Sequence, residues 1–248
     1  MSKDLFSRQA GMYARHRPSY PHKLYKYVLQ FVEEKLVAWD CATGNGQAGL
    51  ALSEYFEKVI ATDISKEQLA HARKKDNINY LSCPAEKTPF TARSFDLITI
   101  AQAYHWFNFE AFNTEVRRVG KPGAVIAAWG YNLLTTHVPA LDSILNDFYS
   151  RIVGPYWEPE RRFLEDHYST IPFDFTLLPN EKFFIECQWQ RDDLLGYLNS
   201  WSSVVHFIAD KNYNPVEELS NDISMHWKEN EIKQVSFPLY LKIGKLPE

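Results

Sequence analysis

The stretch VAWDCATGNGQ, residues 37–47, decides the fold. Its first four residues are an apolar run that ends in an acid, Asp40, and a turn of small residues follows. AGLALSEYF (48–56) then takes up helical spacing, so the segment reads as strand, tight loop and helix. Glycines in such a loop let the backbone approach a ligand closely. Gly44, Gly46 and Gly49, with Asp63 further on, come close to a dinucleotide-binding fingerprint. Asp40 opposes that reading. A carboxylate at the mouth of the loop repels a pyrophosphate by about 4 kcal/mol at ~4 Å, for an effective dielectric of ~20. A cationic ligand reverses the sign.

The alternation continues outward from this loop. HKLYKYVLQFVEEKL (22–36) carries a helical stripe on its upstream side. KVIATD (58–63), INYLSC (78–83), SFDLITIAQA (94–103) and AVIAAWGY (124–131) read as strands. SKEQLAHARKK (65–75), with Ser65 as its N-cap, and FNFEAFNTEVRRV (107–119) read as helices between them. The Lys121-Pro122-Gly123 turn is expected to separate the second of these from the fifth strand. Strands alternating with helices at this spacing predict a parallel α/β sheet.

Beyond residue 131 the pattern changes. THVPALDSILNDFYSRIV (136–153) reads as a helix, and 154–179, rich in proline and aromatic residues, as a lid-like insertion. KFFIECQWQ (182–190) reads as a strand, and RDDLLGYLNSWSSVVHFI (191–208) as a helix running into an apolar stretch. VEELSNDISMHWKEN (216–230) reads as a helix and SFPLYLKIGK (236–245) as a closing strand. The expected fold is a Rossmann-like, seven-stranded, mostly parallel α/β sheet with an antiparallel C-terminal strand pair and a helical lid insertion. The expected organisation is a single domain over residues 1–248. An N-terminal arm covers 1–22, a ligand-binding core 23–131 and the lid 136–180, and 181–248 completes the sheet.

Composition narrows the function classes. The 248 residues carry a net charge of −4, and no run of Lys and Arg supplies the footprint of a nucleic-acid binder. Cys41, Cys83 and Cys187 have no zinc-ligand spacing and imply no disulfide framework, so a reducing cytoplasm is expected. MSKDLFSRQAG lacks the apolar run of a signal peptide, and no stretch approaches the ~18 apolar residues of a membrane span. The expected partner is a small molecule, with neither nucleic acid nor membrane. The sequence leaves the oligomeric state open.

S-adenosylmethionine meets the electrostatic requirement of the loop: it carries a sulfonium and an ammonium and no phosphate. The chain resembles the class I S-adenosylmethionine-dependent methyltransferases of the type 11 group. VAWDCATGNGQ resembles that family's first motif and IATDIS (60–65) its second, whose acid binds ribose. CPAEKTPF (83–90) resembles the third, by the adenine, and SFDLITIAQAYHWF (94–107) the fourth strand with its substrate-side turn. YARHRPSYP (13–21), AQAYHWF (101–107) and NSWSSV (199–204) are similar to one branch, the trans-aconitate methyltransferase-like proteins. The resemblance implies S-adenosylmethionine as cofactor, S-adenosylhomocysteine as product, no metal, and a small-molecule methyl acceptor, foremost a carboxylic acid methylated on oxygen. One departure is Cys41-Ala42, where the family more often has glycine; alanine fits there if its φ is negative.

The cofactor residues so implied are Tyr13, Arg17, Asp40, Ala42, Gly44, Gly46, Asp63, Ile64, Ala85, Glu86 and Gln102. Arg17 is expected to pair with the methionine carboxylate, Asp40 to attract the cation and Asp63 to accept the ribose hydroxyls. Gln102 has a competing role as a backbone-capping amide. His105, Trp106, Tyr131, Trp157 and Trp201 are the acceptor-side candidates, with Tyr156, Arg161 and Arg162 beside them. His105 is the catalytic candidate as a general base. A carboxylate acceptor is already ionised at neutral pH and needs none, whereas a hydroxyl acceptor, such as a quinone ring, requires one. A nucleic-acid or protein methylase is disfavoured, because Gln102-Ala103-Tyr104-His105 stands where amino-methylating enzymes carry an Asn/Asp-Pro-Pro-Tyr turn. A dinucleotide oxidoreductase is opposed by Asp40. A protein that binds the cofactor without catalysis stays open.

Overall fold

The computed structural model describes residues 17–248. Tyr13 and most of the expected arm lie outside the described residues. The parallel part of the sheet is built from β1 (Val37–Cys41), β2 (Lys58–Asp63), β3 (Ile78–Ser82), β4 (Phe95–Ala101) and β5 (Gly120–Tyr131). The antiparallel part is β6 (Thr176–Leu177), β7 (Phe183–Trp189) and β8 (Lys233–Lys245). The spatial order is β3-β2-β1-β4-β5-β8, with β6 and β7 both paired to β8. The fold class is therefore the expected Rossmann-like sheet with an antiparallel C-terminal pair, plus the two-residue β6. The order reverses between β1 and β4. In open α/β sheets that point, at the carboxyl ends of the strands, is where ligands bind.

The central strands β1, β4 and β5 are buried on both faces, and their side chains alternate between two cores. Leu97, Val125, Ala127, Trp129 and Tyr131 enter one. Trp39, Cys41, Ile98, Ile100, Ile126 and Ala128 enter the other. The first is covered by α1 (His22–Leu29), α2 (Gln47–Leu52) and the C-terminal helices α7 (Arg191–Asn199), α8 (Ser202–Lys211) and α9 (Pro215–Ser224). The second is covered by α4 (Phe109–Val119) and the segment containing α6 (Arg161–Glu165). The remaining helices are α3 (Lys66–Ala70) and α5 (Pro139–Asp147).

Several expected boundaries move. The turn at Lys121-Pro122-Gly123 is a bulge inside β5: Gly120 already pairs with Phe95, and pairing resumes at Val125 opposite Leu97. An ion pair between Lys121 and Asp96 (2.5 Å) ties down that bulge. The helix expected over 191–208 is two helices. The Ser200 hydroxyl donates to the Tyr197 carbonyl (2.6 Å), and Trp201 is extended at ψ 136°, which turns α8 away from α7. The helix expected over 136–153 is α5 followed by one π-helical turn at Phe148–Ile152. The segment expected as a lid packs as a wall: Leu164, Tyr168, Ile171 and Phe175 are buried, and Thr176–Leu177 pairs with β8.

Candidate functional site

Two adjoining cavities open at the carboxyl edge of the parallel strands. The larger, of about 150 Å³, is walled by the loop after β1 and by the ends of β2, β4 and β5. Ala42, Thr43 and Gly44 face it from the loop, Asp63 and Ile64 from β2, Ala85 from beyond β3, and Gln102 and Tyr131 from β4 and β5. The Asp63 carboxylate is held by the backbone: Oδ2 accepts from the Gly44 N–H and Oδ1 from the Ser65 N–H, each at 2.8 Å.

Asp40 does not reach this cavity. It is 0% exposed and sits beneath the loop. Thr43 Oγ1 donates to its Oδ2, Thr99 Oγ1 donates to its Oδ1 at 2.9 Å, and the Gly49 N–H also donates to it. Burial pushes its pKa up to about 6, against these hydrogen bonds and helped by the charge of Asp63. The expectation left open attraction of a cation directly or through water; a direct contact is not available from this position, because Asp40 lies beneath Thr43 and outside the cavity wall.

Three other expectations change with the geometry. Ala42 has φ +52°, so it stands in the left-handed region that favours glycine rather than at negative φ. Gly46 lies outside the cavity wall. It caps α2 at φ +84°, and a Cβ there meets the Tyr80 hydroxyl at 2.6 Å, so the glycine serves packing. Glu86 also lies outside the wall, where its carboxylate accepts the Asn108 N–H (3.0 Å) at the start of α4. Gln102 takes the capping role while its side chain lines both cavities. Its amide bonds the Tyr131 N–H (3.2 Å) and carbonyl (3.1 Å), which ties β4 to β5 at a left-handed φ of +57°.

The smaller cavity, of about 40 Å³, shares Arg17, Gln102, Trp106 and Tyr131 with the larger. Its other walls include His105, Trp157 and Trp201, so the five acceptor-side candidates meet in one place. Arg17 stands at the junction, its guanidinium donating to the Tyr131 hydroxyl (3.3 Å) and the Ser200 carbonyl (3.4 Å). Arg161 faces the cavity from α6. Its guanidinium lies 3.9 Å from the Trp157 ring centroid, and its Nε donates to the Tyr149 hydroxyl (2.8 Å). No ion pair to Arg161 occurs among the described residues. Arg162 is exposed over the Phe163 ring, and Tyr156 points away, donating to Asp210 (2.6 Å).

His105 is 5% exposed, and its Nδ1 bonds the Tyr168 hydroxyl at 3.1 Å. Burial, with the positive charge of Arg161, pushes its pKa down to about 3. The ring is neutral around pH 7 and a weak proton acceptor. Glu158, Tyr197 and Ser202 also line this cavity and were missed by the sequence reading. They come from separate segments with no spacing rule to connect them.

Comparisons with known proteins bear on this geometry. The family described as "Methyltransferase domain" matches residues 39–128. A Dictyostelium discoideum protein named "Putative methyltransferase" is 32% identical over 98% of this chain and 95% of its own. The structure described as a "Putative Type II Methyltransferase" from Anaeromyxobacter dehalogenans superposes with a TM-score of 0.87 at 35% identity, covering 94% of this chain and 99% of the other. A demethylmenaquinone methyltransferase of Chlorobaculum tepidum is 40% identical over 34% of this chain and 36% of its own.

Proposed function

This chain belongs to the class I S-adenosylmethionine-dependent methyltransferases, and we propose that it methylates a carboxylate oxygen of a small carboxylic acid. The single observation carrying that reading is Arg161, a guanidinium stacked on Trp157 in the smaller cavity and without an ion-pair partner among the described residues. Stacking fixes the plane of the guanidinium, and a planar fork suits a carboxylate.

The larger cavity would hold the cofactor. Asp63, held by Gly44 and Ser65, would accept the ribose hydroxyls. Arg17 would pair with the methionine carboxylate, and the Asp40 charge beneath the loop would offset the cationic end. When bound, S-adenosylmethionine supplies the methyl group: an acceptor oxygen bonds to it while the carbon–sulfur bond breaks with its electron pair to sulfur, giving a methyl ester and S-adenosylhomocysteine with no proton to move.

The chain's own residues then work by placement rather than by proton transfer. Trp106, Trp157 and Trp201 give the acceptor aromatic walls that exclude water, and Arg161 holds one end of it, so the acceptor is presented in a dry cavity. The neutral, weakly basic His105 favours this reading over a hydroxyl acceptor, which needs a base. The test is methyl-ester formation across a panel of small carboxylic acids, with and without Arg161→Ala. Losing a charge-assisted hydrogen bond of about 2 kcal/mol should lower kcat/KM for the acceptor by ~30-fold. If no acid is methylated although the cofactor binds, the carboxylate reading is wrong.

A further inference from the structure

Among the described residues, Glu158 is the one acid in the wall of the smaller cavity. Its side chain is 11% exposed. Oε2 accepts the Ser202 hydroxyl at 2.9 Å, whereas Oε1 is buried and receives no hydrogen bond from the described residues. Among the described residues, the one cationic candidate within 4 Å is His206 Nδ1, 3.6 Å from Oε1, but that nitrogen lies closer to the Tyr156 carbonyl (3.2 Å), which only an N–H can bond. The ring N–H is therefore directed at the carbonyl. A buried carboxylate oxygen left without a donor is costly, by ~1–3 kcal/mol or more for a charged group.

Glu158 and Arg161 are fixed relative to each other by one turn, in which the Arg161 N–H donates to the Glu158 carbonyl at 3.0 Å. Opposite charges three residues apart would be expected to pair, yet they form no ion pair: Arg161 stacks on Trp157, and Glu158 is held by Ser202. Both residues line the smaller cavity, so an anion anchor and a carboxylate with one oxygen short of a donor lie side by side in its wall. Only a ligand bearing both complementary groups satisfies both.

Building on the carboxylate reading above, we infer that the methyl acceptor is a small carboxylic acid that also carries an O–H or N–H donor a few bonds from its carboxylate, and that Glu158 selects for that donor. A hydroxyl and an ammonium both supply it. They differ in charge, and so in what they require of Glu158. A hydroxyl needs an acceptor oxygen, which glutamine retains; an ammonium needs the negative charge, which glutamine lacks.

The experiment compares matched acids on the full chain with saturating S-adenosylmethionine. Succinate, malate and aspartate share one skeleton, and butyrate with its 3-hydroxy and 3-amino derivatives gives a monoacid series. Methyl-ester formation is read by mass spectrometry for the wild type, Glu158→Gln and Glu158→Ala, with the heat of cofactor binding as the check of fold. The expected result is at least a tenfold preference in kcat/KM for a hydroxylated or aminated acid over its plain partner, reduced to within about twofold in Glu158→Ala. If Glu158→Gln keeps most of the preference, the donor is a hydroxyl; if it loses it, the donor is an ammonium. Equal methylation of plain and substituted acids overturns the inference and leaves the carboxylate reading standing. So does a preference that survives in a Glu158→Ala protein of normal cofactor affinity. If no acid of either kind is methylated while the cofactor binds, both fall.

Discussion

Replacing Asp40 with Asn should make the protein more stable and its cofactor affinity weaker. Asparagine keeps the shape and can still bond Thr43 and Thr99, but removes the buried charge. The carboxyl has a pKa raised from 3.8 to about 6 in the fold. An acid whose pKa is raised by folding favours the fold while protonated and opposes it once ionised. The stability it contributes is complete below about pH 4, is lost as pH rises from 3.8 towards 6, and stays lost above that. Two pKa units correspond to about 3 kcal/mol. Above pH 7, therefore, Asp40→Asn should raise the melting temperature of the ligand-free protein by roughly 6–12 °C for a domain of this size. Near pH 4 the two proteins should melt together. Binding runs the other way. At an effective dielectric of ~20, a unit charge attracts a cation ~8 Å away by about 2 kcal/mol, so the dissociation constant for S-adenosylmethionine should rise by ~30-fold. Thermal melts from pH 4 to pH 8 and titration calorimetry read the two halves separately. A variant less stable at every pH, or one with unchanged cofactor affinity, refutes the assignment of Asp40 as a buried counter-charge.

Asp63→Ala removes the acid proposed for the ribose. S-adenosylmethionine affinity should fall by 2–3 kcal/mol, as expected for lost hydrogen bonds to a charged group, while circular dichroism stays native; unchanged affinity sinks the ribose role. His105 is held neutral down to about pH 3, so kcat/KM should show no break near the usual histidine value of 6.5. His105→Ala should change kcat for a carboxylic acid by only a few-fold, and loss of turnover with both affinities intact overturns the no-base mechanism. Ala42→Gly should relieve the left-handed φ of +52° and stabilise the protein by about 1 kcal/mol, read as a rise in melting temperature of ~2–4 °C.

The half of the site proposed for the cofactor was legible because the ends of the parallel strands build it. Asp63 closes β2, Gln102 follows β4 and Tyr131 ends β5, and each strand announces itself by an apolar run. The depth of Asp40 was not legible. An acid at the end of a strand reads the same whether it faces a ligand or lies beneath the loop, and here Thr43 and Thr99, the latter distant in sequence, draw it inward. The left-handed φ of Ala42 was likewise not legible, since alanine in a loop suggests negative φ by default. The break at Ser200-Trp201 escaped notice because the apolar pattern runs through it. A single side-chain bond from Ser200 to the Tyr197 carbonyl ends the helix. Trp201 was named from its aromatic character, but its neighbours Glu158, Tyr197 and Ser202 are joined to it only by the tertiary fold.

In the proposed function the two cavities divide the work between parts of the chain that fold by different rules. The cofactor side rests on the parallel strands, whose ends are fixed by the β-ladder and by bonds such as those of Gln102 to Tyr131. The acceptor side is assembled from the segments after β5, held by aromatic contacts such as Trp157 with Trp201 and Tyr149 with Trp201. Arg17, Gln102, Trp106 and Tyr131 belong to both. Substitutions at Glu158 or Arg161 lie off this shared boundary and should change the choice of acceptor without changing cofactor affinity. Substitutions at Arg17 or Tyr131 should disturb both together, because one guanidinium–phenol contact braces the two cavities.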